Sequence, residues 1–220
     1  MRDYRSPLST DDLLSVIRAH PILSSISAGV YSLDALDALT VAGRPRFLIY
    51  NQSPAWLAPG SHWVAIWLRA DTCGEVFSSL GDRPNQPEVL RFVRRHCSQG
   101  IYSSVPVQAG QSNCCGIYCL SYAYERARGT TLERWLSQFT SNRDANDNRV
   151  TCHFMTHLAF PGLFSTRLNW RLAVSRVCAD GGGMGGSGSM AKPTRRRRRT
   201  RSKRLQSVRL VPARSHDAAT

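Results

Sequence analysis

The sequence predicts an α+β domain, a small mixed sheet packed against helices, followed by a disordered basic C-terminal tail. Three observations carry that expectation. Apolar residues recur at helical spacing in Ser9 to Ala19 and again after Cys115, whereas Arg46 to Asn51 and the two halves of Pro59 to Gly81 are short, strand-like apolar runs. Apolar residues make up 42% of the 220, enough for one core. From Gly181 the composition breaks into glycine and serine, then arginine, which leaves nothing to pack. The expected organisation is therefore a domain over 1–178, a linker over 179–191 and a basic tail over 192–220.

Each element has a local reason. Ser9 or Thr10 caps the first helix, with Asp11 and Asp12 in its positive first turn and Leu13, Leu14, Val16 and Ile17 as its buried stripe. Leu33, Leu36 and Leu39 give Ser32 to Leu39 helical spacing. Arg46 to Asn51 is a strand that leads into a Pro-rich loop, Gln52 to Gly60, where Trp56 reads as a packing anchor. His62 opens the next strand, and a turn at Asp71 to Gly74 returns the chain as a second one. Trp63, beside His62, either packs or lines a site. Pro87 to Cys97 reads as a helix with Val89, Leu90 and Val93 inward and Arg91, Arg94 and Arg95 in solvent. Ile101 to Val107 is a further strand.

Val107 to Gly129 is the central stretch, a polar loop running into a helix whose first turn carries Cys115. Ile117, Leu120 and Tyr124 form its stripe, and Gly129 stops it after Arg126 and Arg128. Thr131 to Phe139 is another helix, Ser141 to Arg149 a polar loop, and Val150 to Leu158 a last helix or strand; the mixed pattern of 160–177 yields no assignment.

The net charge is +14, and from Ala179 onward eleven Lys and Arg face two Asp, leaving 18 against 13 before it. The domain is thus mildly basic and the tail strongly so. Seven cysteines, no signal-like start and no run of membrane length point to a reducing, soluble setting and to no membrane partner. There is no Cys/His cluster of zinc spacing, so no metal and no cofactor is expected. Cys152 and His153 are adjacent, poor chelating geometry, and His157 reads as packed or exposed.

A thiol at a helix start has chemical value. The first helical N–H groups lack intrahelical partners and the dipole is positive there, so both favour thiolate. A thiol protease also needs an imidazole that takes the thiol proton and returns it to the leaving amine, and this is usually distant in sequence. His62 can supply it, and Cys115 or the adjacent Cys114 the sulfur.

Gly60-Ser61-His62-Trp63, then Phe77 to Gly81, then Val107-Gln108, Ser112 and Cys115-Gly116 resemble the motifs of the adenovirus endoprotease (adenain) family, with its relatives in adeno-like and Polinton-like DNA viruses and, more distantly, the Ulp1-type proteases of ubiquitin-like modifiers. The resemblance spans roughly residues 10 to 160. It implies a papain-like, circularly permuted cysteine protease fold. The seven-residue step from Gln108 to Cys115 matches the viral branch. Carried over, the resemblance makes Cys115 the nucleophile, His62 the general base and then acid, and Gln108 an oxyanion-hole donor. Cys115 is preferred to Cys114 because it precedes Gly116. Ser78 falls where the family has Asp or Glu. A hydroxyl can orient the imidazole but brings no charge to stabilise imidazolium. Three readings stay open: a dyad tuned by Ser78; a relocated carboxylate, with Asp82 beyond the turn and Glu75 on the opposite face; or an inactive descendant. Cys97 aligns with the family cysteine that bonds an activating peptide, or is a free cysteine at a helix end.

In the tail, Arg195, Arg196, Arg197, Arg198, Arg199, Arg201, Lys203 and Arg204 form a block suited to phosphate backbones through counterion release, and also to nuclear localisation. The resemblance adds possible activation by DNA and a basic peptide. Met184-Gly185-Gly186-Ser187-Gly188 fits the family's preferred form, Met, Ile or Leu followed by X-Gly-X-Gly, which predicts cleavage between Ser187 and Gly188. The expected function is a monomeric viral endopeptidase of virion and host nucleus that cleaves capsid and core precursors and binds DNA through its tail. The alternatives are a Ulp1-type protease or a catalytically weak DNA-binding packaging protein.

Overall fold

The computed structural model describes residues 7–57 and 61–159, and the backbone of 205–209. Helix α1 (Thr10–Ala19) begins as its sequence demands. Ser9 Oγ accepts the Asp12 N–H while the Asp12 carboxylate accepts the Ser9 N–H, a reciprocal capping box. Leu13, Val16 and Ile17 are buried, whereas Leu14 is only half-buried. Two elements without a clear local signal follow, α2 (Pro21–Ile26) and β1 (Ser27–Ser32). Only a short 3-10 turn, Asp34–Asp37, forms where helical spacing was seen, with Leu36 buried.

Strands β2 (Arg46–Asn51), β3 (Trp63–Leu68) and β4 (Cys73–Phe77) are antiparallel neighbours. The turn into β4 ends earlier than predicted. The left-handed residue is Thr72, at φ 66°, and Gly74 lies within the strand. Gly74 is needed for space: a Cβ there would meet Cys97 Sγ at 3.0 Å and Val93 Cγ1 at 3.1 Å. Helix α3 (Pro87–His96) crosses over to β5 (Gln99–Ser103), parallel to β4. It buries Val89, Phe92 and Val93, leaving Leu90 half-buried. Its arginines are not all merely solvated. Arg91 grips Asp37 through two hydrogen bonds of 2.9 and 2.7 Å, and Arg95 donates to the Leu36 and Leu39 carbonyls. β5 ends four residues before Val107, so the predicted strand is shorter and starts earlier.

Helix α4 (Cys115–Ala127) is buried along ten consecutive residues, Cys115 to Tyr124. It packs on one face of the sheet with α1, α2, α5 (Leu132–Ser137) and α6 (Arg143–His157); α3 and the 3-10 turn cover the other face. Each aromatic or aliphatic side chain so buried contributes about 1.5–3 kcal/mol. Helix α6 corrects the reading of Ser141 to Arg149 as a loop. Asn142 caps it, and its inward positions begin with Asn146, before Val150 and Phe154. A buried polar residue opens the stripe, so apolar periodicity misses the first two turns.

The sheet order is β1-β2-β3-β4-β5-β6, where β6 is Leu205–Arg209. Leu205 pairs with Ser103 and Arg209 with Gln99, antiparallel, along the open edge of β5. The register also fixes direction. β4 and β5 end, and β3 and β6 begin, at one end of the sheet. His62, Ser78 and the chain leading to Gln108 lie at that end. The mixed sheet flanked by helices agrees with the α+β expectation at that level. The linker, Ser187, Gly188 and the block Arg195 to Arg204 lie outside the described residues. No helix among the described residues is long and apolar enough to cross a membrane.

Candidate active site

His62, Ser78, Gln108 and Cys115, far apart in sequence, are all buried, at 6, 2, 2 and 8% exposure. They gather at that one end of the sheet because β3 starts after His62, β4 stops before Ser78, and α4 starts at Cys115. His62 Nε2 lies 3.1 Å from Ser78 Oγ. Ser78 thus faces Nε2 rather than Nδ1. The next residue, Ser79, is fully buried and serves Gln108: its hydroxyl donates to Oε1 at 2.6 Å, and its carbonyl accepts the N–H groups of Val107 and Gln108. Gln108 Nε2 donates one hydrogen to the Ser112 carbonyl at 2.6 Å and keeps a second. The adjacent serines thus hold the imidazole and the amide.

Gly81, at φ 75°, makes this approach possible, since a Cβ there would meet Pro106 N at 2.5 Å. Phe77 anchors the strand end from below, its ring stacked on Tyr122 of α4 at 4.6 Å.

Cys115 accepts the backbone N–H of Trp63, the residue after His62. Cys119, one turn on, lies with its Sγ 3.3 Å from the Trp63 carbonyl. Helix α4 is therefore stitched to the start of β3. Cys114 is aimed elsewhere, its Sγ 3.8 Å from Thr151 Oγ1 of α6. The Trp63 indole packs in the core and donates to the Leu8 carbonyl, whereas Trp56 is 80% exposed and anchors nothing, contrary to its expected role.

Burial sets the resting charge. It raises the Cys115 thiol above its ordinary value, outweighing the Trp63 and Gly116 N–H groups that favour thiolate. The helix-start argument alone gave the opposite expectation. Burial likewise lowers the His62 imidazole below its ordinary value, opposed in part by the charge of Asp82. Thiol and imidazole are then both neutral at neutral pH. Glu75 is committed elsewhere: it binds Arg126 at 2.8 and 2.9 Å and accepts the Tyr122 hydroxyl at 2.7 Å. Asp82, exposed, influences His62 through space only.

Sequence reading missed the role of α6. Asn146 Nδ2 donates to the Val107 carbonyl at 3.0 Å, while Asp147 accepts the Ala109 N–H at 3.4 Å and the Tyr118 hydroxyl at 3.0 Å. Both residues flanking Gln108 are so held by one helical turn. The only sequence signal was the dense Asn/Asp content of Ser141 to Arg149, which reads equally as a loop.

Cys97 is free, buried and raised by burial to about 11. Cys152 is disulfide-bonded. His157 is exposed and stacks on Tyr124 at 5.7 Å. Among the described residues no group of His, Cys, Asp or Glu could hold a metal ion. No protein-family model matches the chain, and no curated protein matches it.

Proposed function

We propose that this chain is a papain-like, circularly permuted cysteine endopeptidase of the adenain type, acting on capsid and core precursors in virion and host nucleus. The observation that carries the reading is the pairing of Ser78 with His62 and of Ser79 with Gln108 beside the helix start bearing Cys115. In the reaction the Cys115 proton passes to His62 Nδ1 as Sγ attacks the scissile carbonyl carbon. The oxyanion accepts the second Gln108 Nε2 hydrogen and the N–H of Cys115 at the helix start. The protonated His62 gives its proton to the leaving amine, and a thioester remains. Water, deprotonated by His62, attacks the thioester, and the acid product leaves as Cys115 regains its proton. Ser78 orients the imidazole without charge, so the dyad is slower than a triad with a carboxylate.

The tail is both nucleic-acid ligand and substrate. β6 begins at the catalytic end of the sheet, and Gly188 lies seventeen residues before Leu205, a stretch reaching at most about 60 Å when extended. That supports cleavage between Ser187 and Gly188 by the chain's own thiol. A DNA-binding packaging protein on a retired protease scaffold is the second reading, favoured by the uncharged Ser78 and the burial-raised Cys115.

Time-resolved mass spectrometry of the full chain, with and without DNA, beside Cys115→Ala, tests this. A fragment starting at Gly188 and absent from the variant supports the endopeptidase. An intact chain, together with no cleavage of Gly-containing peptides, favours the packaging protein.

A further inference from the structure

A cavity of about 500 Å³ opens between the loop that joins Gln108 to Cys115 and the first turns of α6. Its walls include Ala109, next to Gln108, and Cys114, next to Cys115, so it begins one residue from both the amide and the thiol. Across from them stand Asp144 and Asp147 of α6. These are its ionisable wall groups besides the Cys114 thiol, and no wall residue is basic, in a chain of net charge +14. The rest of the lining is amide and hydroxyl, including Asn113 and Asn148.

Asp147 is half-buried, and the hydrogen bonds it accepts come from neutral groups: the Ala109 N–H and the hydroxyls of Tyr118 and Ser112. Burial and the nearby Asp144 both work against its charge. A cation entering the cavity would offset both. A guanidinium suits such a site, because its planar fork can engage a carboxylate and amide oxygens together.

We propose that this cavity is a substrate subsite for a cationic side chain, arginine before lysine, seated close to the scissile bond. The assignment of the cavity to substrate rests on the endopeptidase reading above; the affinity for a cation does not. Asp144, exposed at the rim, attracts the side chain, and Asp147 receives it within.

The first test uses the full-length Cys115→Ala chain at low salt. Nα-acetyl-arginine amide and its neutral isostere Nα-acetyl-citrulline amide are titrated in while the carboxyl carbons of Asp144 and Asp147 are followed by NMR. Arginine amide should move both resonances saturably, citrulline amide should not, and Asp144→Asn should weaken the binding about fivefold. Equal responses to the two amides, or none, overturn the proposal. In the second test the active chain cleaves matched peptides in which arginine or citrulline is scanned across the positions flanking the cut. One position should favour arginine about five- to tenfold in kcat/KM, and Asp144→Asn should erase that preference with the citrulline peptide cut at its original rate. Equal rates at every position overturn the subsite. Binding of arginine amide with neither peptide cut would sustain the cation site and overturn the endopeptidase reading instead.

Discussion

Ser78 Oγ and His62 Nε2 stand 3.1 Å apart, in a place where a carboxylate would pair with imidazolium and a hydroxyl cannot. The contact joins the end of β4 to the residue before β3, so the sheet itself holds the ring. Ser78→Asp should raise the His62 pKa and increase kcat/KM, whereas Ser78→Ala should lower kcat/KM about tenfold through loss of orientation. His62 ring-proton NMR and peptide cleavage check the two effects separately. A Ser78→Asp chain with an unmoved His62 titration would show that the imidazole is set by another group.

Gln108 is held at both ends of its amide, by the Ser79 hydroxyl and the Ser112 carbonyl. Gln108→Ala should reduce kcat by about 100- to 1000-fold, and Ser79→Ala by less, because the amide then rotates but survives. The rate of Cys115 alkylation should be unchanged in both, since neither residue touches the sulfur. A parallel fall in alkylation would assign them to the thiol environment.

The neutral resting pair has a pH signature. With the Cys115 thiol raised and the His62 imidazole lowered by burial, alkylation of Cys115 by iodoacetamide should be slow at neutral pH and climb with pH above the ordinary thiol range. A plateau already reached at pH about 6 would instead reveal a thiolate–imidazolium pair.

Stability should follow the histidines. His20, His62, His96 and His153 are all lowered, chiefly by burial. As pH falls below about 6.5 the unfolded chain binds protons that the native state refuses, so stability rises with pH across that window and is lost on acidification. The midpoint of thermal unfolding measured between neutral and mildly acidic pH should decrease; a flat profile would contradict the burial argument.

Glu75 is a structural carboxylate. Glu75→Gln leaves Arg126, whose side chain is 9% exposed, without its charge partner and should cost about 3 kcal/mol in urea unfolding. Alkylation of Cys115 in the folded fraction should not change. Loss of activity with unaltered stability would return Glu75 to the catalytic machinery.

β6 pairs its backbone with the β5 edge, so a chain ending at Arg204 should lose protection at β5. Hydrogen exchange of Gln99 to Ser103 should accelerate, and equal exchange in both chains would show that the strand contributes no protection.

The sequence alone determined what local patterns encode. The cap at Ser9, the run Arg46 to Asn51, the His62 strand and its return, and the helix from Cys115 stopped by Gly129 are written in adjacent residues, whose periodicity and turn chemistry need no partner. His62 precedes and Cys115 opens such an element, whereas Gln108, and the choice of Cys115 over Cys114, rest on the motif resemblance. Tertiary structure decided the rest. Asn146 begins the buried stripe of α6 because the Val107 carbonyl is there to receive its amide, and β6 exists because β5 leaves an edge. Ser79 became a partner of Gln108, and Trp56 an exposed side chain, only through the path of distant segments. The charge state of Cys115 was likewise out of reach of the sequence. A helix start favours thiolate locally, but the core packed over the sulfur desolvates it, and burial outweighs the few N–H groups directed at it.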